Sequence, residues 1–145
     1  MVTATWYSES EDETRTLGAS LVEVLPPDGT LLLYGDLGSG KTVLTQGLAA
    51  ALEIDPCQVQ SPSFTLIREH EGLKGRLVHV DLYRLNPNEV EGLGLWEILA
   101  GDGFKVVEWA ERIPFEVPGA IELEIRYGDA PDSREILRVD RAAVT

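Results

Sequence analysis

A lysine and a threonine, side by side at the end of a glycine-rich turn, are the residues here with the clearest chemical purpose. Gly35-Asp36-Leu37-Gly38-Ser39-Gly40-Lys41-Thr42 fits the pattern G-x-x-x-x-G-K followed by Ser or Thr. The glycines let the backbone curl until successive N–H groups converge on one anion. A helix that starts at the turn, with Val43 in its first turn, adds the positive end of its dipole. Lys41 has the length to reach the outer phosphates of a nucleotide, and the Thr42 hydroxyl can complete a magnesium shell.

Magnesium also asks for a carboxylate near the end of a neighbouring strand. LVHVDLY offers Asp81 and FKVVEW offers Glu108, and the residues alone do not choose between them. The hydroxyl-rich QSPSFT, Gln60 to Thr65, lies where nucleotide switches sense a γ-phosphate, although Ser-Pro-Ser is also ordinary turn composition. Trp109 can stack on a base or fill the core. His70, His79 and the single Cys57 do not make a zinc set, and Cys57 has no evident base beside it to activate a thiolate. Neither Lys74 nor Lys105 stands in an Asn-Lys-x-Asp or Thr-Lys-x-Asp context, the guanine-reading pattern of small GTPases, so ATP is the expected nucleotide. Arg68, Arg76, Arg84 and Arg112 are scattered, unlike the arginine-bearing lid of a small-molecule kinase.

These residues need a scaffold, and the hydrophobic pattern supplies one. Ser10 and Glu13 have capping-box spacing, and Leu17, Leu21, Val24 and Leu25 form one helical stripe. Pro26-Pro27-Asp28-Gly29 turns the chain into Leu31–Tyr34, apolar on both faces as a central strand should be. Leu44, Leu48, Ala51 and Leu52 mark the helix after the glycine turn, closed by Pro56. Phe64–Glu69 and Arg76–Tyr83 read as strands, the second with His79, Asp81 and Tyr83 on one face. Short helices are expected from Asn86 to Glu91 and from Trp96 to Ala100, then a strand Phe104–Glu108. Ile121, Leu123, Ile125 and Tyr127 alternate with polar residues, and Glu135–Val139 forms a last strand.

The expected architecture is α/β, a three-layer P-loop NTPase fold. A mostly parallel central sheet has antiparallel edge strands, helices on both faces, and the nucleotide at the carboxyl ends of the strands. At 145 residues the chain is read as a single domain, 1–145. No apolar run reaches the roughly 18–20 residues of a membrane span. The acidic opening MVTATWYSESEDET lacks the regions of a secretory signal, and the cytoplasm is the expected compartment. A net charge of −13, from 25 acidic and 12 basic residues, argues against direct nucleic-acid binding, which draws affinity from basic side chains on phosphates. An acidic surface suits a protein partner of complementary charge.

GDLGSGKT, SPSFTL, HVDLYRL and VEWAER, in this order and spacing, resemble the bacterial TsaE (YjeE) family, small ATPases needed to make threonylcarbamoyladenosine on tRNA. The resemblance covers roughly Ser10 to Ile125; Ser63 stands where threonine is commoner, and Ala110 where proline is frequent. It implies that Lys41 contacts the phosphates of ATP or ADP and that Thr42 binds Mg2+. It favours Glu108 as the magnesium-associated carboxylate and Asp81 as the acidic residue of the second nucleotide motif. It also implies a switch-like loop at Thr65, Trp109 near the nucleotide, and Glu11 and Arg134 flanking the adenine. The implied partners are the transferase TsaD and its companion TsaB, with tRNA engaged only through that complex. Two rival readings stay open: a small-molecule kinase, and a module that binds nucleotide without turning it over.

Overall fold

The computed structural model describes residues 2–36, 38–60 and 66–139. Seven strands form one sheet: β1 (Val2–Ser8), β2 (Thr30–Tyr34), β3 (Ile67–Gly72), β4 (Gly75–Asp81), β5 (Phe104–Glu108), β6 (Ile121–Tyr127) and β7 (Arg134–Val139), in the spatial order β1-β7-β6-β2-β5-β4-β3. The inner four, β6, β2, β5 and β4, run parallel. β3 is antiparallel at one edge, and β7 and β1 at the other. The expected mostly parallel sheet with antiparallel edges is what forms.

Every residue of β2 is buried, which is why its sequence has no polar alternation. On one face lie α1 (Glu11–Val24) and α2 (Lys41–Ala51), covering Leu31, Leu33, Leu77, Val106, Leu123 and Ile125. On the other, α3 (Pro87–Glu91) and α4 (Leu95–Leu99) cover Leu32, Val78, Val80 and Val107 together with the segment through Ile113, Phe115 and Val117. Each fully buried leucine or valine here contributes on the order of 1.5–3 kcal/mol. Among the described residues no helix is long and apolar enough to cross a membrane.

Helix starts follow their chemistry. The Ser10 side chain accepts from the Glu13 N–H, while the Glu13 carboxylate accepts from Glu9 N–H rather than from Ser10. Asn86 and Glu89 complete a reciprocal capping box at α3, with Pro87 in the first turn. Of the predicted α1 stripe, Leu21 and Leu25 are buried but Val24 is half exposed. The face is completed instead by Thr14 and Gly18, because α1 lies against α2 at backbone distance. A Cβ at Gly18 would fall 2.0 Å from the Leu44 carbonyl oxygen, and one at Gly47 would fall 1.9 Å from that of Arg15. Two facing glycines therefore set how closely the phosphate-loop helix docks. Strand β1 has no counterpart in the sequence reading; only Ser8 of it is buried, and its partner β7 lies more than 120 residues away.

Gly47→Ala is expected to lower unfolding free energy by about 1–3 kcal/mol through forced separation of α1 and α2. Alanine is intrinsically the better helix residue by about 1 kcal/mol, so urea denaturation showing a gain in stability would contradict this contact.

Candidate functional site

The glycine turn leaves the carboxyl end of β2 and enters α2 directly. Gly38 and Gly40 adopt φ of 77° and 111°, left-handed values that side chains with a Cβ rarely take, and Gly40 is the residue that opens α2. The parallel register sets the opposing wall. Asp81 ends β4, Glu108 ends β5, and the two are direct partners across the strands. Both are nearly inaccessible to solvent.

Thr42 joins the two walls. Its hydroxyl lies 3.4 and 3.3 Å from the two carboxylate oxygens of Glu108. The Asp81 carboxylate accepts from the Tyr83 N–H at 2.9 Å, which orients it at the strand end. Lys41 Nζ donates to the carbonyls of Gly35 and Asp36, the second at 3.0 Å, and sits 4.2 Å from the centre of the Trp109 ring. Burial pushes its pKa below the ordinary lysine value, against the raising pull of Glu108, Glu111, Asp81 and Asp36. These groups surround a cleft of about 280 Å³, which Tyr83 and Arg84 also line.

The loop is held from behind as well. Arg134, the first residue of β7, donates from Nε to the Ser39 carbonyl at 2.7 Å and from a terminal nitrogen to that of Gly38 at 3.3 Å. Its guanidinium carbon also lies 4.8 Å from the centre of the Tyr127 ring. A second hollow of about 560 Å³ opens beside Arg134, lined by Tyr7, Glu9, Tyr127, Ser133 and Glu135 among others.

Comparison with known proteins gives this geometry a family. The profile of the family described as "Threonylcarbamoyl adenosine biosynthesis protein TsaE" matches residues 8–136. The chain belongs to the TsaE family. It is 43% identical over 127 residues to a protein named "tRNA threonylcarbamoyladenosine biosynthesis protein TsaE" from Nostoc sp., covering 85% of this chain and 78% of that one. A protein of the same name from Bacillus subtilis is 39% identical over 133 residues, covering 90% and 82%. The crystal structure of Bacillus subtilis YdiB superposes with a TM-score of 0.71 at 33% identity, over 95% of this chain and 86% of that one.

The residues singled out in the sequence fall into three groups. Gly38, Ser39, Gly40, Lys41, Thr42, Val43, Asp81, Glu108 and Trp109 meet around one cleft, with Gly35 and Asp36 bonded to Lys41 beside them. Arg134 supports the loop from its outer side, and Glu11 lines neither cleft, its carboxylate being paired with Arg15. Leu37 and Thr65 lie outside the described residues. Trp109 lies against the Lys41 ammonium, beside the glycine turn. The residue that sequence reasoning set aside is His79, whose Nε2 contacts a Glu108 carboxylate oxygen. Its signal was the period-two face it shares with Asp81.

Because the Arg134 bonds hold the Gly38 and Ser39 carbonyls outward, Arg134→Ala is expected to weaken inorganic pyrophosphate binding by roughly fivefold to tenfold, about 1–1.4 kcal/mol. Isothermal calorimetry showing unchanged affinity in the folded variant would remove this role.

Proposed function

We propose that this chain is a Mg-dependent ATPase that supports threonylcarbamoyladenosine formation on tRNA by acting on a TsaB–TsaD transferase complex. One observation carries the ATPase reading: the glycine turn presents Lys41 and Thr42 directly opposite the paired strand-end carboxylates Glu108 and Asp81. The relatives' names support the pathway, and the resemblance of SPSFTL, HVDLYRL and VEWAER supports the partners. The chain acts as one domain in the cytoplasm and meets tRNA only through the complex.

The donor set fits magnesium. A threonine hydroxyl and one or two carboxylates are hard oxygen ligands, and this cation commonly takes one or two carboxylates with phosphates and waters completing its shell. Thr42 and Glu108 would hold it, with Asp81 beside them. When bound, the ion would supply positive charge to offset that of the phosphates. The local charge makes that contribution necessary. Lys41 faces Glu108, Glu111, Asp81 and Asp36, and a triphosphate adds several more negative charges to this crowded site.

The chain's own residues then do three things. Loop amides and the α2 N-terminus bind the β-phosphate. Lys41 leaves its carbonyl partners for the phosphates and stabilises charge that grows during in-line attack by water, releasing ADP and phosphate. Trp109 and Tyr83, packed at a tilt of 41° with ring centres 4.9 Å apart, wall the phosphate end against solvent. The base end is directed toward Arg134 and Tyr127, where the second hollow opens.

Phosphate release from Mg-ATP, measured with and without TsaB–TsaD, tests the proposal. Stimulation by the pair is expected, with a loss of about 10²–10³-fold in Lys41→Ala. Full stimulated turnover by Lys41→Ala would overturn the site, and phosphate appearing on an acceptor rather than in solution would favour a kinase.

A further inference from the structure

His79 lies on β4 two residues before Asp81, on the same face of the sheet, and is entirely buried. Its register partner on β5 is Val106, so Glu108 stands one diagonal step away on that face. The imidazole Nε2 contacts Glu108 Oε2. The other ring nitrogen, Nδ1, is buried and has no partner among the described residues. A carboxylate only accepts, so the proton of a neutral imidazole belongs on Nε2, donated to Glu108. A leucine at this position would fill the same core space without leaving an unpaired buried nitrogen. The fold alone gives no reason for the cost of that lone pair.

Glu108 explains it. Among the described residues the Glu108 side chain has two hydrogen-bonding partners, the Thr42 hydroxyl from α2 and the His79 ring from β4. Thr42 sits at the mouth of the cleft, whereas His79 lies beneath, inside the sheet's packed face. We infer that His79 is a positioning residue. It fixes Oε2 of Glu108 and with it the whole carboxylate, whose two oxygens stand 3.3 and 3.4 Å from the Thr42 hydroxyl, in place to hold the metal. This rests on the reading above that Thr42 and Glu108 hold the metal. Supporting groups of this kind act on metal affinity, typically by about 10–100-fold, rather than on nucleotide contacts elsewhere.

The test uses the full-length protein and a fluorescent ATP analogue, titrated with and without Mg2+. Wild type, His79→Leu, His79→Gln and Glu108→Gln are compared, with folding followed by circular dichroism. The wild type is expected to bind the analogue more tightly with magnesium; failure to do so sinks the metal-site reading itself and leaves His79 with nothing to position. Given that gain, His79→Leu should keep its metal-free affinity and lose about tenfold or more of the magnesium-dependent affinity, as Glu108→Gln does. His79→Gln, whose amide nitrogen reaches close to the Nε2 position, should recover most of it. A folded His79→Leu with the full magnesium gain overturns the inference. Should His79→Leu fail to fold, His79→Gln decides: a near-wild-type gain supports the role, and a loss equal to that of Glu108→Gln overturns it.

Discussion

A peptide plane cannot aim its N–H at an anion without aiming its C=O the other way, and the whole site depends on satisfying the carbonyls that this leaves behind. Among the described residues of the glycine turn, two cations take much of that task. Lys41 takes the carbonyls of Gly35 and Asp36, and Arg134 takes those of Gly38 and Ser39. The first is internal to the motif. The second comes from the far end of the chain, through β7, and holds the side of the loop that adjoins α2. The antiparallel pair β6–β7 is thus a support for the phosphate loop as well as part of the sheet.

The same dependence explains the close docking of α2. Its N-terminus carries the loop, so its depth and tilt set where Lys41 and Thr42 stand relative to β4 and β5. Gly18 and Gly47 let α1 approach α2 to backbone contact, and Leu44 and Leu48 fill the remaining space against β2. Packing in the middle of the helix therefore governs a distance of about one side chain at its end, that between Thr42 and Glu108.

Local chemistry was readable in the sequence and long-range pairing was not. The glycine turn, the caps at Ser10 and Asn86 and the β5 span are encoded by neighbours within a few residues, and all appear where the residues place them. The convergence of Asp81 and Glu108 on one cleft needed only the inference that both end parallel strands. Strand β1 was invisible because one of its faces is solvent and its hydrogen bonds go to β7 at the other end of the chain. Val24 fits the helical period yet stays exposed, because glycines on the docking face bring α2 too close for a broad apolar stripe. Arg134 was linked to the site by resemblance, but its place behind the loop is a tertiary fact. His79 was weighed only as a zinc ligand, although its alternation with Asp81 already put it on the carboxylate face.

The segments that follow the two carboxylates are as constrained as the carboxylates themselves. After Glu108 the chain turns at Trp109, which takes φ of 59°, a left-handed conformation costing a large non-glycine residue on the order of 1–3 kcal/mol. The ring's contacts offset this: Tyr83 packs against it at a tilt, and the Lys41 ammonium lies over its face, contacts worth about 0.5–1.5 and 0.5–2 kcal/mol. After Asp81, Leu82 N–H donates to the Glu108 carbonyl at 3.2 Å, and Arg112 donates to the Leu85 carbonyl at 2.7 Å. The exits of β4 and β5 are therefore tied to each other by backbone, ring and guanidinium contacts in succession. These ties restrain the backbone just after Glu108 and Asp81, and so help to fix the Glu108 carboxylate beside Thr42. The left-handed Trp109 is the point at which that rigidity and the electrostatics of Lys41 meet, since one indole ring closes the turn after β5 and also covers the lysine of the glycine turn.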